Sequence, residues 1–347
     1  MIETKLPTFA DIEDARGRLK GEAVVTPLIE SSLLNEAMGG RILIKPECLQ
    51  RTGSFKFRGA WNFISRLGEE ARQGGVVAFS SGNHAQGVAA AAALRKLPAV
   101  IVMPEDTPGI KIANTRAHGA EIVLYDRATQ SREEIAGALV QERGAILVPP
   151  YDHRHVIAGQ GTAGLEMVEQ AAALGLQLDA LLTPVGGGGL TAGLALAMAG
   201  ASPATAVHCV EPEGFDDTRR SLDSGRRERN PAATGSICDA LMAQQPGELT
   251  FAINRRLVGG GFAVSEDEVR HAMRQAFSLL KLVVEPGGAV ALAAVLAGRI
   301  ETAGRVVGIV ISGGNVDPKL FADVLATGHP SGPVYSRLGS GGLRPSA

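Results

Sequence analysis

From Gly75 onward, short apolar strands alternate with helical stretches so regularly that few architectures remain open to the chain. VVAFS (76–80) leads into an alanine-rich helix at 84–96, and AVIVM (99–103) into a helix starting near Pro108. EIVLY (121–125) precedes a helix near 131–143, and AILVPP (145–150) follows. The second half repeats the plan, with a helix at 157–174, the strand LDALLTPV (178–185), a second alanine-rich helix and ATAVHCVE (204–211). The polar stretch 215–235 reads as a helix plus a surface loop. Helices at 266–281 and 287–298 then precede the strand RVVGIVI (305–311). Alternation at this spacing predicts βαβ units, because parallel neighbours need a crossover long enough to hold a helix. The expected fold is α/β, two doubly wound lobes with mainly parallel sheets. Ligands should sit beyond the C-terminal ends of the strands.

Composition narrows the function classes. With 45% apolar but only 4% aromatic residues in 347, the core must be built mainly from Ala, Val, Leu and Ile. The 44 glycines fall in clusters between apolar runs, as tight backbone turns require. A net charge of −2 gives no reason to expect a nucleic acid or an anionic membrane as partner. Cys48, Cys209 and Cys238 are odd in number and widely spaced, which argues against a disulfide framework or a structural zinc site. Residues 1–10 carry charges and no apolar core, so they do not read as a secretory signal. No charge-free run of about 18 apolar residues is present. The expectation is a soluble cytoplasmic protein whose Gly-, Ser- and Pro-rich last residues, 328–347, form a disordered tail.

Four stretches could carry chemistry. Thr52 to Ala60 (TGSFKFRGA) sets Lys56 between two phenylalanines, with glycine on either side and a helical pattern following. Ser80-Ser81-Gly82-Asn83-His84 ends a strand and opens a helix, where free backbone N–H groups favour an anion. An ordinary Ser or Asn cap explains that stretch equally well. Gly186-Gly187-Gly188-Gly189-Leu190 also joins strand to helix, and four glycines let amides crowd a phosphate without side-chain obstruction. Gly187-x-Gly189-x-x-Ala192 also fits a loose dinucleotide pattern, with Glu211 ending the next strand where a ribose-binding acid would sit. A nicotinamide-dependent oxidoreductase is therefore the alternative from another class. Ser312, in ISGGN (311–315), could cap the following segment or offer its hydroxyl to a ring nitrogen.

Together these motifs resemble the fold-type II (tryptophan-synthase-β-like) pyridoxal-phosphate enzymes, most closely the serine/threonine dehydratases and serine racemase. The likeness runs from about Thr26-Pro27-Leu28 to Asn315. It implies that Lys56 carries pyridoxal 5′-phosphate as a Schiff base, flanked by Phe55. It assigns the phosphate to Gly186, Gly187, Gly188, Gly189 and Leu190, the 3′-oxygen to Asn83, the pyridine nitrogen to Ser312 and the ring edge to Glu285. Ser80, Ser81, Gly82, Asn83 and His84 would take the substrate carboxylate, and Ser81 matches the racemase acid/base on the opposite cofactor face. Arg132 matches an arginine that approaches the substrate; on pattern alone it reads as a surface helix residue. By position Glu211, Asp217 and the Phe215 carbonyl would bind Mg²⁺ or Ca²⁺, which suits hard oxygen donors. A charged surface loop remains the simpler reading of that cluster.

The activity so implied is dehydration of a 3-hydroxy amino acid of the threonine or serine type to a 2-oxo acid and ammonia. Alternatives on the same site are a 3-hydroxyaspartate or hydroxyectoine-pathway dehydratase and a serine racemase. A serine opposite the pyridine nitrogen leaves that nitrogen unprotonated, a weaker electron sink suited to elimination. One departure bears on substrate. Cys238-Asp239-Ala240-Leu241-Met242 stands where threonine dehydratases usually have Ala-Asp-Gly, so Ala240 replaces a glycine. The resemblance further implies a large lobe of 1–75 plus 152–327, a small lobe of 76–151, and a homodimer.

Overall fold

The computed structural model describes residues 5–327 apart from Ser81, Pro108 and Arg127. The tail expected at 328–347 lies outside the described residues. Helices α1 (Phe9–Leu19) and α2 (Ser32–Met38) precede strand β1 (Arg41–Pro46), and α3 (Lys56–Ile64) and α4 (Glu70–Gly74) follow it. Next come β2 (Val76–Phe79), α5 (Asn83–Leu94), β3 (Ala99–Pro104), α6 (Gly109–Ala117), β4 (Glu121–Tyr125), α7 (Arg132–Arg143) and β5 (Ile146–Leu147). The second half holds α8 (Arg154–Ala173), β6 (Ala180–Pro184), α9 (Gly189–Ala201), β7 (Ala206–Pro212), α10 (Asp217–Ser224) and α11 (Glu248–Leu257). Strand β8 (Val258–Val264), α12 (Glu266–Gln275), α13 (Pro286–Leu296), β9 (Val306–Ile311) and α14 (Pro318–Ala326) complete it.

The strands form two sheets, ordered β1-β9-β6-β7-β8 and β4-β3-β2-β5, with every ladder parallel. The expected α/β architecture with parallel sheets is therefore present. Strands β3 and β6 are buried along their whole length, as strands covered by helices on both faces must be. Local chemistry sets the helix ends. Ser131 caps α7, Ser265 and Glu268 form a capping box on α12, and Pro286 and Pro318 occupy first helical positions where no N–H is needed. None of the helices among the described residues is long and apolar enough to cross a membrane.

Some boundaries depart from the periodicity. The stretch 145–150 pairs only at Ile146–Leu147, because the prolines that follow cannot donate to a ladder. The strand VGGGFAV (258–264) escapes pattern reading because three glycines mimic a turn; it pairs at the sheet edge with β7 alone. The helix expected at 266–281 ends as α at Gln275, continues as one π turn over Ala276–Leu280, and stops at Lys281 with φ 59.

A closed cluster of charges pins the start of α3 to α8. Arg58 is fully buried, and its guanidinium donates to Glu47 (2.7 and 2.8 Å), Glu166 (2.6 and 2.8 Å), Thr162 Oγ1 (3.2 Å) and the Val24 carbonyl (3.3 Å). Lys45, equally buried, reaches Glu166, Gln170 and the Thr26 carbonyl at 2.7, 3.0 and 2.7 Å. Two cations and two carboxylates thus balance away from water, with every guanidinium nitrogen engaged. Arg58→Met should lower folding stability by about 3–5 kcal/mol, since among the described residues Glu47 would lose its only cation partner and Glu166 would keep Lys45 alone. Urea unfolding checks this, and a loss below about 1 kcal/mol would show that the cluster does not hold the helix.

Candidate active site

A cavity of about 680 Å³ opens where strand C-termini from both sheets converge. Lys56, the first residue of α3, projects into it. Its position is set by stitching between two loops. Phe55 N–H donates to the Ser312 carbonyl (3.1 Å), Gly314 N–H to the Gly53 carbonyl (2.9 Å), and Ser54 forms an isolated bridge with Gly313. Gly53, at φ +71, has no room for a Cβ because Asn315 Oδ1 lies 2.6 Å from where one would stand. The Lys56 ammonium donates to the Pro150 carbonyl (2.8 Å) and stands 5.3 Å from the centre of the Phe55 ring. Burial pulls its pKa down to about 8, while Glu285 pulls the other way. A lysine so placed gives up its proton near neutrality.

Gly186, Gly187, Gly188, Gly189 and Leu190 form a second wall and lead into α9. Side chains are excluded there: a Cβ on Gly187 would run into the Tyr151 ring, and one on Gly189 would meet Tyr151 at 3.0 Å. Gly188, at φ +94, presses against α11, where Thr250 would lie 2.9 Å from its Cβ. The Thr250 hydroxyl and the Gly247 N–H both donate to the Gly187 carbonyl, at 2.7 and 3.2 Å. Asp152 in turn accepts from Glu248 N–H (2.8 Å) and Thr250 N–H (3.1 Å), which caps α11. The N-terminus of α9 therefore presents amides to the cavity with glycine on all sides, an arrangement suited to a phosphate.

The third wall is the start of α5 with its partners. Ser80, Gly82, Asn83 and His84 all reach the cavity, whereas Ser81 lies outside the described residues. Asn83 donates to Glu285 Oε1 (2.6 Å) and accepts from Asn315 (2.7 Å), which also donates to the Thr52 carbonyl (2.7 Å). Its amide orientation is thereby fixed. Burial raises the Glu285 carboxyl to about 7, helped by Asp239 and opposed by the Asn83 hydrogen bond and by Lys111 and Lys56. His84 is sealed against the Val148 carbonyl (3.0 Å), and burial with the nearby Lys56 lowers it to about 3, so it stays neutral. Ser312, 5% exposed, faces the same space.

Arg132 begins α7 and lines this cavity as well, which its surface-helix pattern does not reveal. Its guanidinium stands 5.2 Å from the centre of the Phe79 ring and its Nε donates to Glu133 (2.8 Å). Sequence reasoning passed over Lys111, Tyr151 and Thr250. Lys111 of α6 pairs with Asp239 at 2.6 Å across the mouth, joining a helix of the smaller sheet to the 238–242 segment. Tyr151 alone left a trace in the sequence, as an aromatic residue just past a strand end.

Glu211, Phe215 and Asp217 lie apart from these walls. Glu211 is fully buried and accepts from the Thr218 and Arg219 amides at 2.9 and 2.8 Å, so it cannot act as a ribose-binding acid in the cavity. Burial and the neighbouring Asp217 push its pKa well up. Burial likewise lifts Asp217 to about 7, and its Oδ2 is buried without a hydrogen-bond partner. Two carboxylates sharing a dry site with an unpartnered oxygen suit a hard cation. Among the described residues no group of three or more His, Cys, Asp or Glu side chains could hold a metal, so such a site would need the Phe215 carbonyl.

Comparison with known proteins agrees with this geometry. Residues 20–313 match the family model described as pyridoxal-phosphate dependent enzyme. The chain is 45% identical over 330 residues to the L-threo-3-hydroxyaspartate ammonia-lyase of Saccharomyces cerevisiae, covering 95% of this chain and 99% of that one. It is 39% identical over 321 residues to the serine racemase of Schizosaccharomyces pombe, covering 92% and 98%. The crystal structure of T.th. threonine deaminase superposes with a TM-score of 0.85 at 46% identity, over 90% of this chain and 99% of that chain. The residues fit the cofactor: a half-buried amine without a carboxylate partner among the described residues, a glycine cradle where Cβ atoms would collide, and a fixed amide beside a hydroxyl.

Proposed function

The chain belongs to the pyridoxal-phosphate dependent enzymes, and on that premise we propose the reaction, the residue roles and the substrate preference that follow. It is an ammonia-lyase of the carbon–oxygen lyase class that converts a 3-hydroxy amino acid to a 2-oxo acid and ammonia. The observation that carries the residue roles is the convergence of Lys56, Gly186–Gly189, Asn83 and Ser312 on one cavity. Gly186 to Leu190 hold the phosphate, Ser312 the ring nitrogen, Asn83 the 3′-oxygen, and Phe55 and Glu285 border the ring. Bound pyridoxal phosphate supplies the electron sink for the developing carbanion at the substrate Cα.

The remaining work falls to the chain. The start of α5, with Ser80, Ser81, Gly82, Asn83 and His84, receives the substrate carboxylate at a helix N-terminus. Lys56, with its pKa pulled to about 8, takes the Cα proton once its amine is free. The Cα–H and Cβ–O bonds break, the proton taken by Lys56 ends on the departing hydroxyl, which leaves as water, and the enamine then tautomerises in solution and hydrolyses to the 2-oxo acid and ammonium. Ser81 is assigned the proton on the opposite face. The lobes are 1–75 with 152–327 and 76–151; all four strands of the smaller sheet fall in the latter. A cytoplasmic homodimer extends the same reading. As a test, threonine, serine and both 3-hydroxyaspartate diastereomers should be assayed for 2-oxo acid and ammonia, with enantiomer analysis of residual substrate. Wild type should release both products, and Lys56→Ala should lose both turnover and the cofactor's near-visible absorbance. Turnover without Lys56, or racemisation without ammonia, refutes the assignment.

Arg132 favours a substrate with a second carboxylate, such as 3-hydroxyaspartate, since its guanidinium lies on the wall of the cavity that Lys56 enters. Arg132→Met should cut kcat/KM for 3-hydroxyaspartate roughly ten- to hundredfold, the worth of a charge-assisted hydrogen bond. Threonine turnover should change little. Equal losses on both substrates would assign Arg132 to general architecture.

Glu211, Asp217 and the Phe215 carbonyl are proposed to hold Mg²⁺ or Ca²⁺. The sign of the pH dependence follows from Asp217, whose folded-state pKa is raised to about 7 from 3.8. Metal-free stability is then lost as the pH rises from the carboxylate range through about 7, because the charged form is the costly one. A divalent cation reverses that cost, so the melting temperature gained from Mg²⁺ over EDTA should be larger above pH 7 than below. Asp217→Asn should abolish the gain. Indifference to EDTA at both ends of the range would remove the metal.

A further inference from the structure

The glycine cradle is held from behind by a hydroxyl that none of the roles above uses. Thr250, in the first turn of α11, is 0% exposed and donates to the Gly187 carbonyl at 2.7 Å. The Gly247 N–H supports the same oxygen at 3.2 Å, and Asn254, one turn on, reaches the Gly188 carbonyl more weakly at 3.5 Å. A trans peptide is planar, with its C=O and the following N–H pointing in opposite directions. Drawing the Gly187 carbonyl toward α11 therefore turns the Gly188 N–H away from α11 and toward the cavity that Gly188 lines. Gly188 cannot fix this orientation itself, since a glycine at φ +94 is free to rotate its flanking peptides.

We infer that Thr250 is a positioning residue for cofactor binding: its hydroxyl sets the Gly187–Gly188 peptide so that the Gly188 amide donates to the phosphate. The inference rests on the reading of Gly186–Gly189 as the phosphate cradle. Without the hydroxyl the peptide can flip, and the cradle offers a carbonyl oxygen where an anion needs a donor. Asp152 belongs to the same device at one remove, because it holds the Thr250 and Glu248 amides and so keeps α11 against the loop.

The test compares two ligands that differ only in the phosphate. The full chain is stripped of cofactor with hydroxylamine, and pyridoxal phosphate and pyridoxal are titrated back, with Lys56 adduct absorbance as the signal. Thr250→Val, which keeps the shape and loses the hydroxyl, should weaken pyridoxal phosphate about tenfold and leave pyridoxal little changed. Thr250→Ser should restore the preference. Thr250→Ala carries the same comparison if the valine variant does not fold. Equal weakening of both ligands, or an unaltered preference, overturns the positioning role while leaving the cradle intact. A wild-type chain that binds pyridoxal as tightly as pyridoxal phosphate overturns the cradle and the inference together.

Discussion

Much of this structure depends on keeping one half-buried amine without a carboxylate partner among the described residues. The Lys56 Nζ has the Pro150 carbonyl as its hydrogen-bond acceptor, and its nearest acid, Glu285, is occupied by Asn83. A carboxylate in direct contact would hold the ammonium charged and deny it the free-base form that imine chemistry needs. Burial alone would expel the group toward water unless the backbone on both sides were fixed. The fixing comes from the bonds between 53–55 and 312–314 on one side and from the Arg58 cluster on the other. Two cations two residues apart on one helix thus meet opposite fates. Arg58 is fully paired so that Lys56 can remain unpaired.

The same logic explains the wealth of glycine around the cavity. Gly87 brings α5 within 3.1 Å of the Lys56 carbonyl carbon, measured from where its Cβ would stand, and Gly313 leaves room for the Glu285 carboxyl. At each such point a side chain would push apart groups that must stand close.

Much of this was legible before any coordinates. Short apolar runs mark strands, so the largely buried β2, β3, β6, β7 and β9 can be read directly, as can the edge strand β4 from EIVLY. Strand β8 could not, because VGGGFAV owes its conformation to β7 beside it rather than to its own side chains. Glycine turns at strand ends are local statements and survived intact; Lys56 acquired its meaning only by resemblance. Thr250 was illegible for a plain reason. Its partner carbonyl lies 63 residues away, and a threonine in the first turn of a helix looks like any other. Arg132 could be set at the site only by resemblance, because its own helix is polar and the packing of α7 beside β2 is what brings it to the cavity wall.

On the proposed roles, the residues that would choose the substrate come from a different part of the molecule than those that would hold the cofactor. Arg132 and Lys111 both come from helices of the smaller sheet, and both already carry carboxylate partners, Glu133 and Asp239. A substrate with a second carboxylate therefore exchanges one anion for another. That exchange is favourable at Arg132 because its pair with Glu133 is half exposed on both sides, 51% and 59%, and such pairs are worth at most about 1 kcal/mol. A carboxylate delivered into the cavity is desolvated on binding and gains roughly 1.5–3 kcal/mol from the same guanidinium. Lys111 is the poorer partner for a ligand, since only 13% of its side chain is exposed and it is already bonded to Asp239 at 2.6 Å. The two cations thus divide the work. In the proposed roles Arg132 would read the substrate, while Lys111 is bonded to Asp239 of the 238–242 segment.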